Sequence, residues 1–294
     1  MTDLPTTVFL ALRRRFFDAE GRPVPFKLRD KLNTQDDPFD EYLARDILTG
    51  LDGISCAKAT GPLITPDMVL YRPGSYAGMR RDELANNIER IVAIEVKKLE
   101  RTTQGNVARS SGLDYNTTPP CGRVRVYDAA ATAVDIRGFY LFVCLERAPD
   151  DAGAVVLTAL CLTDGNALNE DFELYLSITG EREKRIGLGT YHDGADRARP
   201  MLIFANPLGV REFDGLPMLI HPSGTVSQEE PELHLAYQLR RSVSEGVVRS
   251  FYCYRHRSDA PPGLAAAELL NPFPTPERDS RTRPRGRFKL PFRL

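Results

Sequence analysis

Several features that mark secreted or membrane-bound proteins are missing from this sequence. Its five cysteines are an odd number and form no CxxC pair, which argues against a disulfide framework and against a zinc site. No apolar run approaches the roughly 20 residues that span a bilayer. The first residues lack the basic and apolar regions of a signal peptide. We therefore expect a cytoplasmic protein with no membrane contact.

Two common catalytic signatures are also missing. No glycine-rich loop is followed by Lys and Ser or Thr, so ATP hydrolysis is not indicated. His192 stands beside Asp193, but the pair lies in a turn-like stretch without a partner motif, which favours a surface histidine. The other three histidines lack metal-ligand spacing. The net charge of -1 neither supports nor excludes a nucleic-acid partner.

Apolar runs and helix signals alternate along the first half of the 294 residues. An aspartate cap followed by proline predicts a helix that starts at residues 36–38 and ends at Gly50. Residues 8–17 fit a strand or a short helix. Other helices are expected at the Ala-rich residues 128–136 and at 231–245, where Gln238, Arg240 and Arg241 would face a partner. Strands are predicted at 61–71, 91–97, 123–127, 138–146 and 154–163. The pattern predicts an α/β fold with a mixed central β-sheet flanked by helices.

Charged residues stand out on two of these predicted strands. Asp67 opens one, and Glu95 and Lys97 interrupt the other from the same face, because residues two apart on a strand point the same way. Either feature alone is commonly a turn or a surface ion pair. Charge within an apolar strand is costly unless it is paired or used. Together they predict an acidic pocket with one cation beside it.

Such a pocket can hydrolyse a phosphodiester. Mg²⁺ prefers hard oxygen ligands, commonly one or two carboxylates plus waters, and it lowers the pKa of bound water. Asp67 and Glu95 are the natural ligands, and the backbone carbonyl of Val96 can add a third. Lys97 can position the attacking water, take its proton or neutralise developing charge. The expected cofactor is Mg²⁺, for which Mn²⁺ can substitute.

Pro66-Asp67 together with Glu95-Val96-Lys97 resembles the motif of the PD-(D/E)XK nucleases, and the order of elements is similar to the core of that superfamily. The resemblance implies a restriction-endonuclease-like core, with Asp67 and Glu95 on the metal and Lys97 at the water. Many members add a glutamate from the helix before the first motif strand. Glu41 is the preferred candidate here, ahead of Asp40 and Asp46, although an acid at a helix start is also favoured simply by the helix dipole.

Residues 101–123, directly after the second motif strand, are rich in small and polar side chains suited to reading base edges. Arg109, Asp114 and Asn116 are the expected base contacts, and Lys98, Arg101 and Arg125 the expected phosphate contacts. The further DNA-binding candidates are Gln104, Asn106 and Arg123. A flexible surface loop is the alternative, with Lys98 as a solvated neighbour of Lys97. The basic residues 277–293 fit either a DNA-phosphate contact or a solvated tail.

The wider sequence resembles a bacterial type II restriction endonuclease within this superfamily. We expect one nuclease domain over residues 1–294, with a core at about 36–165 and a part at 166–294 for DNA contacts or dimerisation. A homodimer would cut both strands of a short site in double-stranded DNA, and a DNA methyltransferase would be its genetic partner. The alternatives are a repair or junction-resolving nuclease, and a non-catalytic DNA-binding protein whose charges form structural ion pairs.

Overall fold

The fold was analysed in a computed structural model of the chain. The structure describes residues 2–32, 36–61, 64–74, 78–101, 107–108, 122–167, 217–244, 247–259, 265–267 and 288–293. Within these residues the protein has a mixed α/β fold, in which one large sheet dominates and the helices are few and mostly short.

The helices of the described residues are α1 (Leu4–Phe16), α2 (Pro38–Tyr42), α3 (Arg81–Leu84) and α4 (Val226–Glu229). A π-helical turn (Leu43–Ile47) and a 3₁₀ turn (Leu48–Gly50) continue α2, so the predicted helix from residue 36 to Gly50 is confirmed in outline. Asp37 caps α2 and Pro38 occupies its first turn, as the sequence indicates. In this part of the chain, no helix has the length and apolar character needed to cross a membrane.

Eleven strands of the described residues form the sheet. They are β1 (Ser55–Lys58), β2 (Met68–Tyr71), β3 (Ile91–Arg101), β4 (Val107–Ala108), β5 (Arg123–Tyr127), β6 (Ala133–Arg147), β7 (Val155–Asp164), β8 (Met218–His221), β9 (Leu233–Ser244), β10 (Val247–His256) and β11 (Ala265–Ala267). Their order is β1-β2-β3-β6-β7-β8-β10-β9-β11, with β4 paired to β3 and β5 paired to β6. The β3–β6, β7–β8 and β9–β11 pairs are parallel and the others antiparallel.

One face of the sheet is covered by α1 and α2. Leu4, Val8, Leu12 and Phe16 repeat every four residues along α1 and are completely buried, which is the pattern of a helix packed along one side. Burial of each such side chain stabilises the fold by about 1.5–3 kcal/mol. The side chain of Asp3 accepts a hydrogen bond from the Thr6 amide at 2.8 Å and so fixes where α1 begins.

A second apolar cluster lies on the opposite face of the sheet. It includes side chains of β2, β3, β5 and β6, together with Phe288 and Leu290 from the end of the chain. Backbone hydrogen bonds join Tyr127 at the end of β5 to Phe288 and Leu290. These last residues of the predicted basic segment therefore act as packing elements, whereas residues 268–287 lie outside the described residues.

Two predicted helices are wrong. Residues 128–136 form the turn between β5 and β6 and the start of β6, because the Asp128 side chain accepts hydrogen bonds from the amides of Ala130 and Thr132 and closes a tight turn. Residues 231–245 contain β9, which pairs with β10 along most of its length. Long-range pairing thus overrides the local helical pattern. The predicted strands at 123–127, 138–146 and 154–163 are confirmed.

Candidate active site

The pairing of β2 with β3 brings the two halves of the sequence motif together. Met68 pairs with Ile94 in this antiparallel register. Asp67, which directly precedes β2, therefore lies next to Glu95. The Val96 amide donates a hydrogen bond to Asp67 Oδ2 at 2.7 Å. The Asp67 carboxylate is therefore fixed by the backbone of the strand that carries Glu95 and Lys97.

Glu95 and Lys97 form a buried ion pair on the same face of β3. Lys97 Nζ donates to Glu95 Oε1 at 2.8 Å, and each residue is only 6% exposed. The second oxygen of the carboxylate, Glu95 Oε2, is buried and accepts no hydrogen bond from the described residues. A buried acceptor without a partner is costly. This oxygen is therefore available to a cation.

Two neighbouring acids of α2, Asp40 and Glu41, differ in their surroundings. Glu41 faces outward, where its carboxylate pairs with Arg29 and with Arg45, and the hydrogen bond from Arg29 lowers the pKa of Glu41. Asp40 is 9% exposed and faces inward. Adjacent residues of a helix point about 100° apart. Asp40 is therefore the better placed of the two acids, while the role expected for Glu41 stays a prediction.

The position of Lys98 also differs from the prediction. It was expected to contact DNA phosphates, but its side chain is 7% exposed and forms ion pairs with Asp37 and Asp40. It lies on the opposite face of β3 from Lys97, since neighbouring residues of a strand alternate. Lys98 is therefore a buried cation bonded to the start of α2 and not a surface contact.

Lys58 is a second cation near the acids. It was not among the predicted site residues, because no strand was predicted at residues 55–58. It ends the edge strand β1 as the register partner of Met68, and the next amide, Ala59 N, donates to the Asp67 carbonyl at 2.8 Å. Its side chain is exposed and has no hydrogen bond or ion pair within the described chain. Lys58 thus presents an uncommitted positive charge beside the acidic pocket.

The acids of the pocket repel one another. Burial, and then the charge of Glu95, raises the pKa of Asp67 to about 8, against the smaller opposing effects of Lys97 and Lys58. Burial, and then the charge of Asp67, raises the pKa of Asp40 well above its usual value. Without an added cation, these neighbouring carboxylates cannot all be ionised near neutral pH.

Replacement of Asp67 by Asn is expected to stabilise the metal-free protein at alkaline pH. An unfolded aspartate titrates at about 3.9, so between pH 4 and 8 the folded Asp67 keeps a proton that the unfolded chain has lost, and stability falls as pH rises. D67N removes this loss, so its gain in stability over the native protein should be larger at pH 8 than at pH 5 by about 4 kcal/mol, or roughly 1.4 kcal/mol per pH unit. Urea unfolding in EDTA measures both values.

D67A is the contrasting variant, because alanine leaves the Val96 amide without its acceptor. It should be less stable than D67N by about 1–3 kcal/mol at both pH values. An unchanged pH dependence of stability in D67N would show that Asp67 is ionised in the folded protein.

The remaining DNA-binding candidates do not gather at this pocket within the described residues. Arg123 and Arg125 are exposed on β5, where Arg123 donates to Asn86 at 2.9 Å and Arg125 forms a two-pronged ion pair with Asp135. The backbone of Arg101 ends β3. Five candidates lie outside the described residues: Gln104, Asn106, Arg109, Asp114 and Asn116.

The pocket suits a hard cation that completes its coordination with water. No group of three or more Asp, Glu, His or Cys side chains within the described ranges is arranged to hold a metal ion by itself. Mg²⁺ commonly uses only one or two carboxylates plus waters, and Asp67 with the unused oxygen of Glu95 supplies these. No protein-family model, curated protein or solved structure matches the chain.

Proposed function

We propose that the protein is a Mg²⁺-dependent endonuclease that hydrolyses phosphodiester bonds of double-stranded DNA. The observation that carries this proposal is the buried Lys97–Glu95 pair beside Asp67, where Glu95 Oε2 has no hydrogen-bond donor among the described residues. A merely structural ion pair would need neither the second acid nor an unused buried acceptor. The arrangement is the one that phosphodiester hydrolysis requires: an acidic metal pocket with one cation beside it.

Each side chain has a distinct task in this chemistry. When bound, Mg²⁺ supplies charge stabilisation for the phosphate and a more acidic water. Asp67 and Glu95 would hold it, with the Val96 carbonyl as a further ligand, and Asp40 adds negative charge from α2. Lys97 is held by Glu95 at the buried edge of the pocket, where its ammonium can orient the attacking water or neutralise charge that develops in the transition state.

The biological role we propose is that of a type II restriction endonuclease. The antiparallel β1-β2-β3 unit, the parallel β3–β6 pair and the helices α1 and α2 on one face support a restriction-endonuclease-like core. Cleavage of both strands at a short, symmetric site would use a homodimer. A DNA methyltransferase would protect the host genome and so be the genetic partner.

Plasmid digestion tests this proposal. Purified protein incubated with plasmids of known sequence and Mg²⁺ should yield discrete fragments that map to one short site, and EDTA should prevent their formation. Nicking confined to branched or damaged DNA would instead identify a repair or junction-resolving nuclease. Absence of cleavage with Mg²⁺ and with Mn²⁺, together with no metal binding by calorimetry, would identify a non-catalytic DNA-binding protein.

Lys58 is expected to contact the DNA backbone next to the pocket, because its exposed side chain has no hydrogen-bond or ion-pair partner among the described residues. K58A should weaken DNA binding about tenfold without changing the preferred site, and should reduce by about one the slope of log affinity against log salt concentration. Fluorescence anisotropy titrations in EDTA at several salt concentrations provide both quantities.

K27A is the matched control, since Lys27 is an exposed lysine that pairs with Asp151 away from the pocket. It should retain native affinity and salt slope. Equal effects of K27A and K58A would mean that only net charge matters and would remove Lys58 from the interface.

A further inference from the structure

We propose that Lys98 is a positioning residue, which fixes Asp40 at the metal pocket by tying the start of α2 to the catalytic strand. This inference rests on the proposed nuclease function and adds a residue to it. Lys97 and Lys98 are neighbours on β3 but point to opposite faces of the strand. The two lysines would therefore have different tasks, one at the reacting groups and the other behind the acid from α2.

The contacts of Lys98 join two acids of one helix. Its ammonium forms ion pairs with Asp37 and with Asp40, the latter at 3.2 Å from Asp40 Oδ1. It also lies over the Phe39 ring, 5.9 Å from its centroid. The side chain is almost fully buried, so these interactions are shielded from salt and water. Lys98 thus contacts three residues within the first turn of α2.

Asp37 both pairs with Lys98 and caps the start of α2. Its carboxylate accepts hydrogen bonds from the amides of Phe39 at 3.2 Å and Asp40 at 3.3 Å, so the group that Lys98 pairs with is also the N-cap of α2. A shift of Lys98 would therefore change both the cap and the orientation of Asp40. The rotation that turns Asp40 inward and Glu41 outward is defined at this cap.

The bond to Asp40 leaves part of that carboxylate for the pocket. Lys98 occupies Oδ1, while Oδ2 accepts no hydrogen bond from the described residues. The charge of Asp40 is felt at the pocket, because Asp67 and Glu95 both contribute to raising the pKa of Asp40 after the larger effect of burial. Lys98 would thus hold one oxygen of Asp40 and present the other toward the metal and its waters.

The test compares K98M, K98R, D40N and the double variant D40N/K98M. K98M should raise about tenfold the Mg²⁺ concentration that gives half-maximal cleavage and should weaken Mn²⁺ binding in calorimetry similarly. K98R should restore most of the native Mg²⁺ dependence. D40N/K98M, which removes one buried charge of each sign, should be no worse than D40N alone, since Lys98 acts through Asp40.

A phosphate contact or a purely structural role would give different results. The salt slope of DNA binding should stay native in K98M; a slope reduced by about one would overturn the proposal in favour of DNA contact. Native Mg²⁺ dependence in folded K98M would overturn the proposal in favour of a structural role. A defect in D40N/K98M clearly larger than that of D40N would also overturn it, because Lys98 would then act independently of Asp40. If the native protein binds Mn²⁺ but cleaves no DNA, the nuclease function fails, whereas the calorimetric comparison still decides the role of Lys98.

Discussion

Replacement of Asp67, Glu95 or Lys97 by alanine is expected to lower the rate of DNA cleavage at least about 10³-fold and to leave DNA binding in EDTA within about threefold. The three side chains meet in one buried pocket, where the Val96 amide fixes Asp67 and Glu95 holds Lys97. On the proposed mechanism, loss of either acid would remove a metal ligand, and loss of the lysine would remove the cation at the attacking water. Single-turnover cleavage rates at saturating Mg²⁺ measure the effect.

Alanine at Glu95 or Lys97 also leaves an unpaired buried charge, which costs about 3–5 kcal/mol of stability. E95Q and the double variant E95Q/K97M separate this effect from catalysis, because both keep the shape of the site and the double variant removes charges of both signs. Both should fold and be inactive. The exposed pair Lys27–Asp151 supplies the control K27M/D151N, which should cleave at the native rate. Native cleavage by folded E95Q/K97M would exclude this pocket as the active site.

The local sequence predicts strands well where apolar residues are continuous. Residues 138–146 and 154–163 are hydrophobic on both faces, and they form β6 and β7 in the middle of the sheet. The local pattern fails where strand pairing overrides it, as at β9, which pairs with the antiparallel strand β10. The Ala-rich stretch at 128–136 fails for a local reason, namely the turn that Asp128 closes.

The candidate site shows the same division. Asp67, Glu95 and Lys97 are brought together by the pairing of two neighbouring strands, which the alternation of the sequence indicates directly. Asp40 and Glu41 are adjacent acids at the start of one helix, so the sequence alone does not say which faces the sheet. That choice depends on how α2 packs, with Phe39 buried and Lys98 bonded to Asp40. The rotation of a helix about its axis depends on tertiary packing. The role proposed for Lys98 could therefore be inferred only once the orientation of α2 was known.

Asp40 and Glu41 should therefore respond oppositely to loss of charge. D40N is expected to lower the cleavage rate about 10²-fold at limiting Mg²⁺ and less at saturating Mg²⁺, since it removes negative charge from the metal pocket. E41Q should stay within about twofold of the native rate. Its carboxylate lies on the surface with Arg29 and Arg45, and an exposed ion pair contributes at most about 1 kcal/mol to stability.

Cleavage rates of the two variants over a range of Mg²⁺ concentrations make the comparison, with unfolding curves as the control for folding. Both substitutions are isosteric, and the residues are sequence neighbours on α2, so a general disturbance of the helix would affect them alike. A defect in E41Q with native activity in D40N would restore Glu41 as the metal-pocket acid and require α2 to rotate by about 100° on DNA binding. A defect in D40N alone would mean that α2 already stands in its active orientation before DNA or metal binds.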